Sequence, residues 1–350
     1  MLKVLKFGGT SVGTLDRIQN VANIIKKIKD EGHDVIAVVS AMSGETNKLI
    51  EYAEYYSKTP KADEIDMLLS SGERVTSALL SIALNEMGYK ATSMSGRQAG
   101  IMTDNAHTKA RIESIDTTEM KKAIKDGNII IVAGFQGVAQ DTLRVSTLGR
   151  GGSDLTAVAI AGAIEADVCE IYTDVDGIYT TDPRIEPKAK KLEKISYDEM
   201  LELASLGAKV LQNRSVEMAK KLNVNLVSRS SFTPEVEGTL ITKEENIMEK
   251  PIVSGIALDK NQIRVGMYGV TDKPGIAASI FTSLADENIN VDMIVQTVGV
   301  DGKTDLDFTI PTTDLLICKN VMEKFKKDTE NIDYNEAICK VSIVGVGMKS

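Results

Sequence analysis

The chain has 350 residues, a net charge of −9, two histidines and three cysteines. The negative charge argues against a nucleic-acid partner, because such proteins need a basic face, and two histidines exclude a metal site built from several of them. The cysteines show no CxxC spacing and predict reduced thiols, and the sequence lacks an apolar run of 18 residues that would predict a membrane span. We therefore expect a cytoplasmic protein of two or three domains, without a membrane partner.

The first predicted element is a short buried strand that ends in two glycines. Apolar residues surround Lys6 in this strand, and Gly8 and Gly9 precede a helix that starts near Thr14. A strand that leads through glycines into a helix can hold an anion on its backbone N–H groups, and the Lys6 ammonium lies within reach of the same anion. The segment matches neither GxGxxG nor GxxxxGK[ST], so an ordinary strand–turn–helix connection is the alternative.

The second predicted strand runs from Asp34 to Ser40 and is almost wholly apolar. It leads into the sequence SAMSGETN, residues 40–47, which is rich in small and hydroxyl side chains. A strand without polar positions is typical of a parallel sheet covered on both faces, and ligands collect at the carboxyl ends of such strands. Two polar loops at strand ends therefore predict an α/β domain with a site at one edge of its sheet.

Residues 61–87 predict one long helix that contains the sequence SSGER. Gly72 falls in the middle of this helix, where a glycine costs about 1 kcal/mol relative to alanine, so it marks a weak point or a close approach. Glu73 and Arg74 are by default a solvated ion pair, and the periodicity of the helix does not exclude that alternative.

A fully apolar strand at Ile129–Ala133 is followed by GFQG, a predicted hairpin and the sequence GRGGSD at residues 149–154. Three glycines let the backbone turn tightly and present Arg150 without competing side chains. The alternative is a capped helix start, with Ser153 or Asp154 as the N-cap and Arg150 in water.

The strand at Val168–Tyr172 is followed by TDVDGIYTTDPR, residues 173–184. A calcium loop is excluded here, because the twelfth position of the consensus lacks a glutamate. Further on, Ser196 and Glu199 predict a capping box, and a helix is predicted to start at Gly207. Lys209 then falls in its first turn, which is unfavourable for a cation unless an anion lies nearby. Residues 225–230 predict the next strand.

The polar stretch at residues 233–250 predicts a domain boundary, and a repeat follows it. Residues 263–270 align with residues 341–348, and the segment between them predicts the order β-α-β-β-α-β, with a turn at residues 273–275.

Five motifs in order give the chain a family resemblance: KFGGTS, VVSAMSG, SSGER, GRGGSD and YTDVDGIYTTDPR. Together they resemble the aspartate kinases within the amino acid kinase family, and the C-terminal region resembles an ACT module. The resemblance implies an amino acid kinase domain at residues 1–245, with a mostly parallel sheet between helices. It also implies an α+β ACT region at residues 246–350, in which the first module covers about 262–335 and the second stops after its first strand.

The resemblance further implies MgATP-dependent phosphorylation of the β-carboxylate of L-aspartate, the first step toward lysine, threonine and methionine. The residues implied are, for catalysis, Lys6, Asp154 and Lys209; for ATP, Lys6, Gly8, Gly9, Thr10, Ser40, Thr173, Asp174, Tyr179, Arg184 and Lys209; and for aspartate, Thr46, Glu73, Phe135, Arg150, Gly151, Gly152 and Ser153. The implied effector, lysine or threonine or both, would contact Asp272, Asn290, Val291, Asp292 and Gln296. The alternative for Asn290 and Asp292 is a plain turn. The resemblance implies no protein-bound metal. It does imply a homodimer or higher oligomer that forms through the ACT regions.

Two other functions remain open. One is a related kinase acting on glutamate, N-acetylglutamate or a nucleoside monophosphate such as UMP, which the SSGER and GRGGSD motifs and the C-terminal module disfavour. The other is a non-catalytic amino-acid-sensing subunit, in which Lys6, Glu73, Arg150 and Lys209 would be superfluous.

Overall fold

A computed structural model describes residues 1–207, 210–246, 253–271, 273–298 and 302–345. The chain forms two units, one made of Met1–Gly255 with Val344 and Gly345, and the other of Ile256–Ile343. Within the ranges described, none of the helices combines the length and the apolar character needed to cross a membrane.

The strands are β1 (Leu2–Phe7), β2 (Asp34–Val39), β3 (Ala91–Met94), β4 (Ile101–Thr103), β5 (Ile112–Ile115), β6 (Ile129–Ala133), β7 (Gln136–Ala139), β8 (Val145–Thr147), β9 (Val168–Thr173), β10 (Lys194–Ser196), β11 (Leu226–Ser230), β12 (Thr239–Thr242), β13 (Gly255–Thr271), β14 (Ile294–Val298), β15 (Lys303–Pro311) and β16 (Asn331–Val344). The α-helices are α1 (Leu15–Asp30), α2 (Glu45–Tyr56), α3 (Ala62–Leu69), α4 (Ser71–Glu86), α5 (Thr118–Lys125), α6 (Gly152–Ile164), α7 (Tyr197–Ser205), α8 (Asn213–Leu222), α9 (Ile276–Asp286) and α10 (Leu315–Met322).

The first unit is built on a large sheet with the strand order β10-β12-β11-β9-β1-β2-β6-β3. Its pairings are parallel except for the antiparallel pair of β11 and β12. β1, β2 and β6 are largely apolar and are covered on both faces: α1 and α4 pack against one face, and α5 and α6 pack against the other. The predicted mostly parallel sheet between helices is confirmed, and the carboxyl ends of β1, β2, β6 and β9 lie along one edge.

The helix α1 forms where its sequence pattern predicts it. The Thr14 side chain caps its N-terminus by accepting a hydrogen bond from the Arg17 N–H at 3.2 Å. Ile18, Val21 and Ile25 recur on one face and are buried against the sheet, at about 1.5–3 kcal/mol for each fully buried side chain. The cap fixes where the glycine turn after β1 ends.

A small second sheet has the order β5-β4-β7-β8. The antiparallel pair of β7 and β8 is the hairpin predicted after GFQG. This hairpin matters for the site because β7 starts directly after Phe135 and β8 ends three residues before Arg150.

The single helix predicted at residues 61–87 is wrong, because the structure has two helices that break at Ser70. Gly72 accordingly lies in the first turn of α4 and not in mid-helix. A Cβ placed on Gly72 would lie 2.7 Å from the Cβ of Ala41, which is too close for any real contact. The glycine is therefore required for the close approach of α4 to the loop that follows β2.

The predicted helix start at Gly207 is also wrong, because α8 begins at Asn213 with Gln212 as its N-cap residue. Ala208 and Lys209 lie outside the described residues, so the position of the Lys209 side chain stays a prediction. The capping box of Ser196 and Glu199 at the start of α7 is confirmed.

The second unit has the predicted order of strands and helices, β13-α9-β14-β15-α10-β16, in a sheet ordered β14-β15-β13-β16. β13 and β14 each pair antiparallel with β15, and Val265, Met267, Ile280 and Phe308 are among its buried core residues. The repeated residues 341–344 form the end of β16, while residues 346–348 lie outside the described part of the chain. The proposed division into residues 1–245 and 246–350 stays a prediction.

Candidate active site

The turn after β1 packs directly against the ends of two neighbouring strands. The Gly8 N–H donates to the Tyr172 carbonyl oxygen at 3.2 Å, and the Ser11 N–H donates to the Gly8 carbonyl oxygen at 2.9 Å. A Cβ on Gly9 would lie 3.1 Å from the Ala41 carbonyl oxygen. Among the described residues, the N–H groups of Gly9 and Thr10 have no hydrogen-bond partner. The donors left for an anion are therefore those of Gly9 and Thr10, since the Gly8 N–H is occupied.

Lys6 projects from β1 beside this turn and pairs with Asp154 in the first turn of α6. The Lys6 Nζ lies 2.6 Å from Asp154 Oδ1, and both residues are 8% exposed. A Cβ on Gly8 would lie 3.4 Å from the Lys6 Nζ, so the glycine leaves room above the ammonium. Desolvation makes a buried ion pair weak evidence for stability. The pair instead orients the Lys6 ammonium beside the Gly9 and Thr10 N–H groups.

Glu73 lies in the first turn of α4 and is only 4% exposed. Its Oε1 accepts a hydrogen bond from the Ala41 N–H at 3.1 Å, while its buried Oε2 has no hydrogen-bond partner in the described part of the chain. Burial raises the pKa of the Glu73 carboxyl to about 7, and the backbone hydrogen bonds oppose this shift. The alternative of a solvated ion pair between Glu73 and Arg74 is therefore wrong. Arg74 Nε donates instead to the Ser70 carbonyl oxygen at 3.3 Å.

The loop with the sequence GRGGSD turns sharply between β8 and α6. Gly149 and Gly151 have φ values of +76° and +72°, in the left-handed region that favours glycine. The N-cap residue of α6 is Gly151, without a side-chain cap, so the capped start at Ser153 or Asp154 is wrong. Arg150 is exposed, and its side chain has no hydrogen bond or ion pair to any described residue. The loop presents an uncompensated guanidinium.

Phe135, after β6, has φ of +68°, which is rare for a bulky residue and costs about 1–3 kcal/mol. The surrounding structure holds this conformation: the Phe135 N–H donates to Thr156 Oγ1 at 3.1 Å, and its carbonyl accepts from the Leu148 N–H at 2.9 Å. A Cβ on Gly152 would lie 2.8 Å from the Phe135 ring. The strained backbone is therefore packed against the start of α6.

Three hydroxyl residues predicted for the site, Ser40, Thr46 and Ser153, lie on loops or helix starts that follow strands. A Cβ on Gly134 would lie 2.9 Å from Ser153 Oγ, so Ser153 packs on the Phe135 loop. The Ser40 N–H donates to the Phe7 carbonyl oxygen at 3.1 Å, directly beside the glycine turn. Thr46 is half-buried in the first turn of α2.

The loop after β9 follows at the same edge, since β9 pairs with β1. Asp174 is exposed, and the Thr173 hydroxyl bonds locally to the backbone of Val175. The Tyr179 hydroxyl donates to Asp176 Oδ1 at 2.9 Å. Arg184 lies in an exposed turn and pairs with Asp182 at 2.7 Å, so its guanidinium already has an anionic partner.

Sequence reasoning assigned no role to two groups at the site. The Ala41 N–H holds Glu73, and the buried Gln136 donates through Nε2 to the Ser70 carbonyl oxygen at 2.9 Å. A backbone donor leaves no residue-type signal, and Gln136 resembles any polar residue at the start of a strand.

In the second unit, the residues expected to contact an effector surround the start of β14. Asn290 and Gln296 are exposed, Val291 is half-buried, and Asp292 is ion-paired with Lys340. The Asp292 N–H donates to the Thr309 carbonyl oxygen at 3.1 Å. Asp272 lies outside the described residues.

Two protein families match the chain. The model of the amino acid kinase family matches residues 1–227, and that of the ACT domain matches residues 259–324. Among curated relatives, an aspartokinase of Helicobacter pylori strain J99 is 58% identical over all of this chain and 87% of its own length. An aspartokinase of Pseudomonas aeruginosa is 52% identical over all of this chain and 85% of its own length.

Solved structures agree with this similarity. Escherichia coli aspartokinase III in complex with aspartate and ADP has a TM-score of 0.76 and 26% identity, over 99% of this chain and 88% of the other. The same enzyme in complex with lysine and aspartate has a TM-score of 0.80 and 26% identity, over 98% of this chain and 87% of the other.

Proposed function

The chain belongs to the amino acid kinase family and, within it, to the aspartokinases, and we propose how its own residues bind and align the two substrates. It is a phosphotransferase that converts L-aspartate to 4-phospho-L-aspartate with a nucleotide as phosphoryl donor. The assignment of individual residues to steps in this reaction is the proposal.

Glu73 carries the proposal, because its buried Oε2 has no hydrogen-bond partner among the residues that the structure describes. A buried carboxylate oxygen without a donor costs about 1–3 kcal/mol or more, and an ammonium group removes that cost. Glu73 therefore binds the α-ammonium of aspartate, and Arg150, which has no partner in the described part of the chain, binds its α-carboxylate. N-acetylglutamate and UMP carry no ammonium, so neither satisfies Glu73.

The remaining proposed contacts of aspartate are Thr46, Phe135, Gly151, Gly152 and Ser153. Ser153 packs on the loop that contains Phe135, and Gly151, with its left-handed backbone, precedes α6 directly after Arg150. These residues shape the space between the α-carboxylate site and the phosphoryl group.

On the other side of the site, the phosphates bind to the N–H groups of Gly9 and Thr10 and to the Lys6 ammonium. Gly8 contributes room and not a donor, because its N–H is already bonded to Tyr172. The β-carboxylate of aspartate is ionised at pH 7 and needs no base, so catalysis consists of aligning two anions and stabilising the transferred phosphoryl group. Asp154 orients Lys6 and does not act as a proton acceptor.

The nucleoside end of ATP lies beside β9 in this proposal, where Thr173 and Asp174 contact the ribose and Tyr179 the base. Lys209 and Ser40 are proposed contacts of the phosphates, and Arg184 joins them only by exchanging its Asp182 partner. Magnesium enters as MgATP, held by the phosphates.

The regulatory part of the proposal is feedback inhibition by lysine, threonine or both at the ACT region. The solved structure of a relative that contains lysine supports it, and Asn290, Val291, Asp292, Gln296 and Asp272 are the proposed contacts. We further propose a homodimer or higher oligomer through the ACT regions and a cytoplasmic location.

The test is ADP release with L-aspartate, L-glutamate, N-acetyl-L-glutamate and UMP as rival acceptors, repeated with lysine and with threonine. The expected result is turnover with aspartate, much weaker turnover with glutamate, and none with N-acetyl-L-glutamate or UMP. Turnover with UMP or N-acetyl-L-glutamate would overturn the role of Glu73. A folded protein that binds lysine or threonine but turns over no acceptor would instead be an amino-acid sensor.

A further inference from the structure

Asp66 is a fully buried carboxylate on α3 that the roles above do not use. Its oxygens accept hydrogen bonds from His107 Nδ1 at 2.7 Å, from the Thr108 N–H at 3.1 Å and from the Thr147 hydroxyl. The donors come from two different segments, the loop before β5 and the end of β8. Asp66 therefore joins three separate parts of the chain.

Two of the segments that Asp66 joins continue directly to residues on the proposed aspartate side of the active site. Toward α4, the Ser70 N–H donates to the Asp66 carbonyl oxygen at 3.0 Å, and Glu73 follows three residues later. Toward α6, Thr147 ends β8, and Arg150 follows three residues later. Short connections of this kind leave little freedom between Asp66 and either charged group.

We propose that Asp66, together with His107, is a positioning residue that fixes the separation of Glu73 and Arg150 and so sets the preference for aspartate over glutamate. The inference rests on the proposed function, in which these two side chains bind the α-ammonium and α-carboxylate. Aspartate and glutamate share both groups and differ by one methylene. The placement of the two anchors thus decides whether the acceptor carboxylate of the shorter or the longer chain meets the phosphoryl group.

One methylene is worth about 10–200-fold in discrimination at a well-formed site. If Glu73 and Arg150 become more mobile, the preference for aspartate over glutamate decreases, because glutamate can then bind with its acceptor carboxylate near the phosphoryl group. The greater mobility also raises KM for aspartate without affecting the nucleotide, whose proposed contacts lie on the other side of the site.

The experiment compares Asp66→Asn with Asp63→Asn, a substitution one turn earlier on α3. The Asp63 side chain is partly exposed and pairs with Arg144 at 3.0 Å, outside the site. For Asp66→Asn we expect KM for aspartate to rise about tenfold, KM for MgATP to change less than twofold, and the aspartate-to-glutamate ratio of kcat/KM to fall about tenfold. Asp63→Asn should leave all three at the wild-type values.

A second pair of variants tests His107 if Asp66→Asn does not fold. Asn places an amide donor near the position of His Nδ1, whereas Leu removes the donor. His107→Leu should therefore reproduce the loss of discrimination, and His107→Asn should restore most of it. Thermal unfolding of each variant distinguishes this from a general loss of stability.

Two results would overturn the inference. One is an unchanged aspartate-to-glutamate ratio in folded Asp66→Asn and His107→Leu variants of an active enzyme, which leaves the proposed function intact. The other is a wild-type protein that does not phosphorylate aspartate, in which case the proposed function fails first and the inference with it.

Discussion

The proposed phosphate side and the proposed aspartate side of the site differ in how their charged groups are paired in the ligand-free protein. On the phosphate side, Lys6 and Asp154 are paired at 2.6 Å without a ligand. On the aspartate side, Glu73 has an oxygen without a partner, and Arg150 has no ion pair within the described residues. A pre-paired cation is already oriented, so its loss affects the chemical step. In the proposed function the substrate pairs with the charges that the protein leaves unpaired, so we expect their loss to affect binding.

The largest expected effect comes from Lys6→Ala. Removal of an oriented charge that stabilises the transition state lowers kcat by about 100–1000-fold, while KM for aspartate changes less than threefold. Steady-state kinetics with aspartate and MgATP measure both constants. Lys3→Ala, on the same strand and paired with Glu170 at 3.1 Å, is the matched control and should keep kcat. A normal kcat in Lys6→Ala would remove the difference between the two sides.

The next effect is on the aspartate side, for Glu73→Gln. Hydrogen bonds to charged groups contribute about 1.5–3 kcal/mol, so KM for aspartate should rise about 10–100-fold with a smaller change in kcat. Glu86→Gln, at the exposed end of the same helix, controls for the loss of a negative charge on α4. Equal losses in the binding of MgATP and aspartate would contradict the division of the site.

The pH dependence follows from the Glu73 carboxyl, whose pKa burial raises to about 7 in the ligand-free protein. Only the ionised form pairs with the aspartate ammonium, so KM for aspartate should rise about tenfold between pH 8 and pH 6. In Glu73→Gln this rise should disappear. A pH profile that is the same in both proteins would assign the titration to another group.

The same pKa shift has a consequence for stability. Because the pKa in the folded state lies above its unfolded value, the ionised Glu73 destabilises the ligand-free protein at pH 8, and this penalty vanishes as pH falls through 7 toward 4.5. Without aspartate, Glu73→Gln should therefore unfold at a higher temperature than wild type at pH 8, by about 2–4 °C for each kcal/mol. Thermal unfolding at pH 8 and pH 5 should show the gap closing at the lower pH.

A smaller effect is expected from Gly151→Ala. Its φ of +72° disfavours alanine, and the new Cβ would lie 2.1 Å from Gln212 Cγ. Either Gln212 or the loop that carries Arg150 must therefore shift, and we expect the loop to do so. KM for aspartate should rise about threefold to tenfold, below the effect of Glu73→Gln. Gly32→Ala is the matched control, because it has φ of +85° in open space and imposes the strain without the contact. Similar kinetics in both variants would show that backbone strain alone accounts for the effect.

The smallest effect is expected from Arg184→Gln. The Arg184 side chain is 85% exposed and already paired with Asp182, and exposed pairs contribute at most about 1 kcal/mol. KM for MgATP should therefore change less than threefold. A tenfold increase would mean that Arg184 leaves Asp182 when the nucleotide binds.

Particular residues show how far the sequence determines this arrangement. The apolar runs that form β1, β2 and β6 are predictable because a strand buried on both faces admits few polar residues. The motifs also predicted that Lys6, Glu73 and Arg150 belong to one site. The burial of Glu73 was not predictable, since it depends on the helix break at Ser70 and on the contact of Gly72 with Ala41. The Lys6–Asp154 pair joins residues 148 positions apart. No local pattern encodes such a pair, so only the family resemblance, which implies that Asp154 orients Lys6, predicted it.

The contact between Ala41 and Glu73 also bears on which mutations the protein tolerates. Its donor is a backbone N–H, so at residue 41 only a substitution to proline removes the donor itself. Size is restricted instead, because the Ala41 side chain is buried and faces Gly72. In a library of random variants, Ala41 should accept glycine or serine and reject valine or larger residues. When the same library is selected for activity at low aspartate, Glu73, whose contribution is its own charge, should accept no other residue, although glutamine is compatible with the fold there.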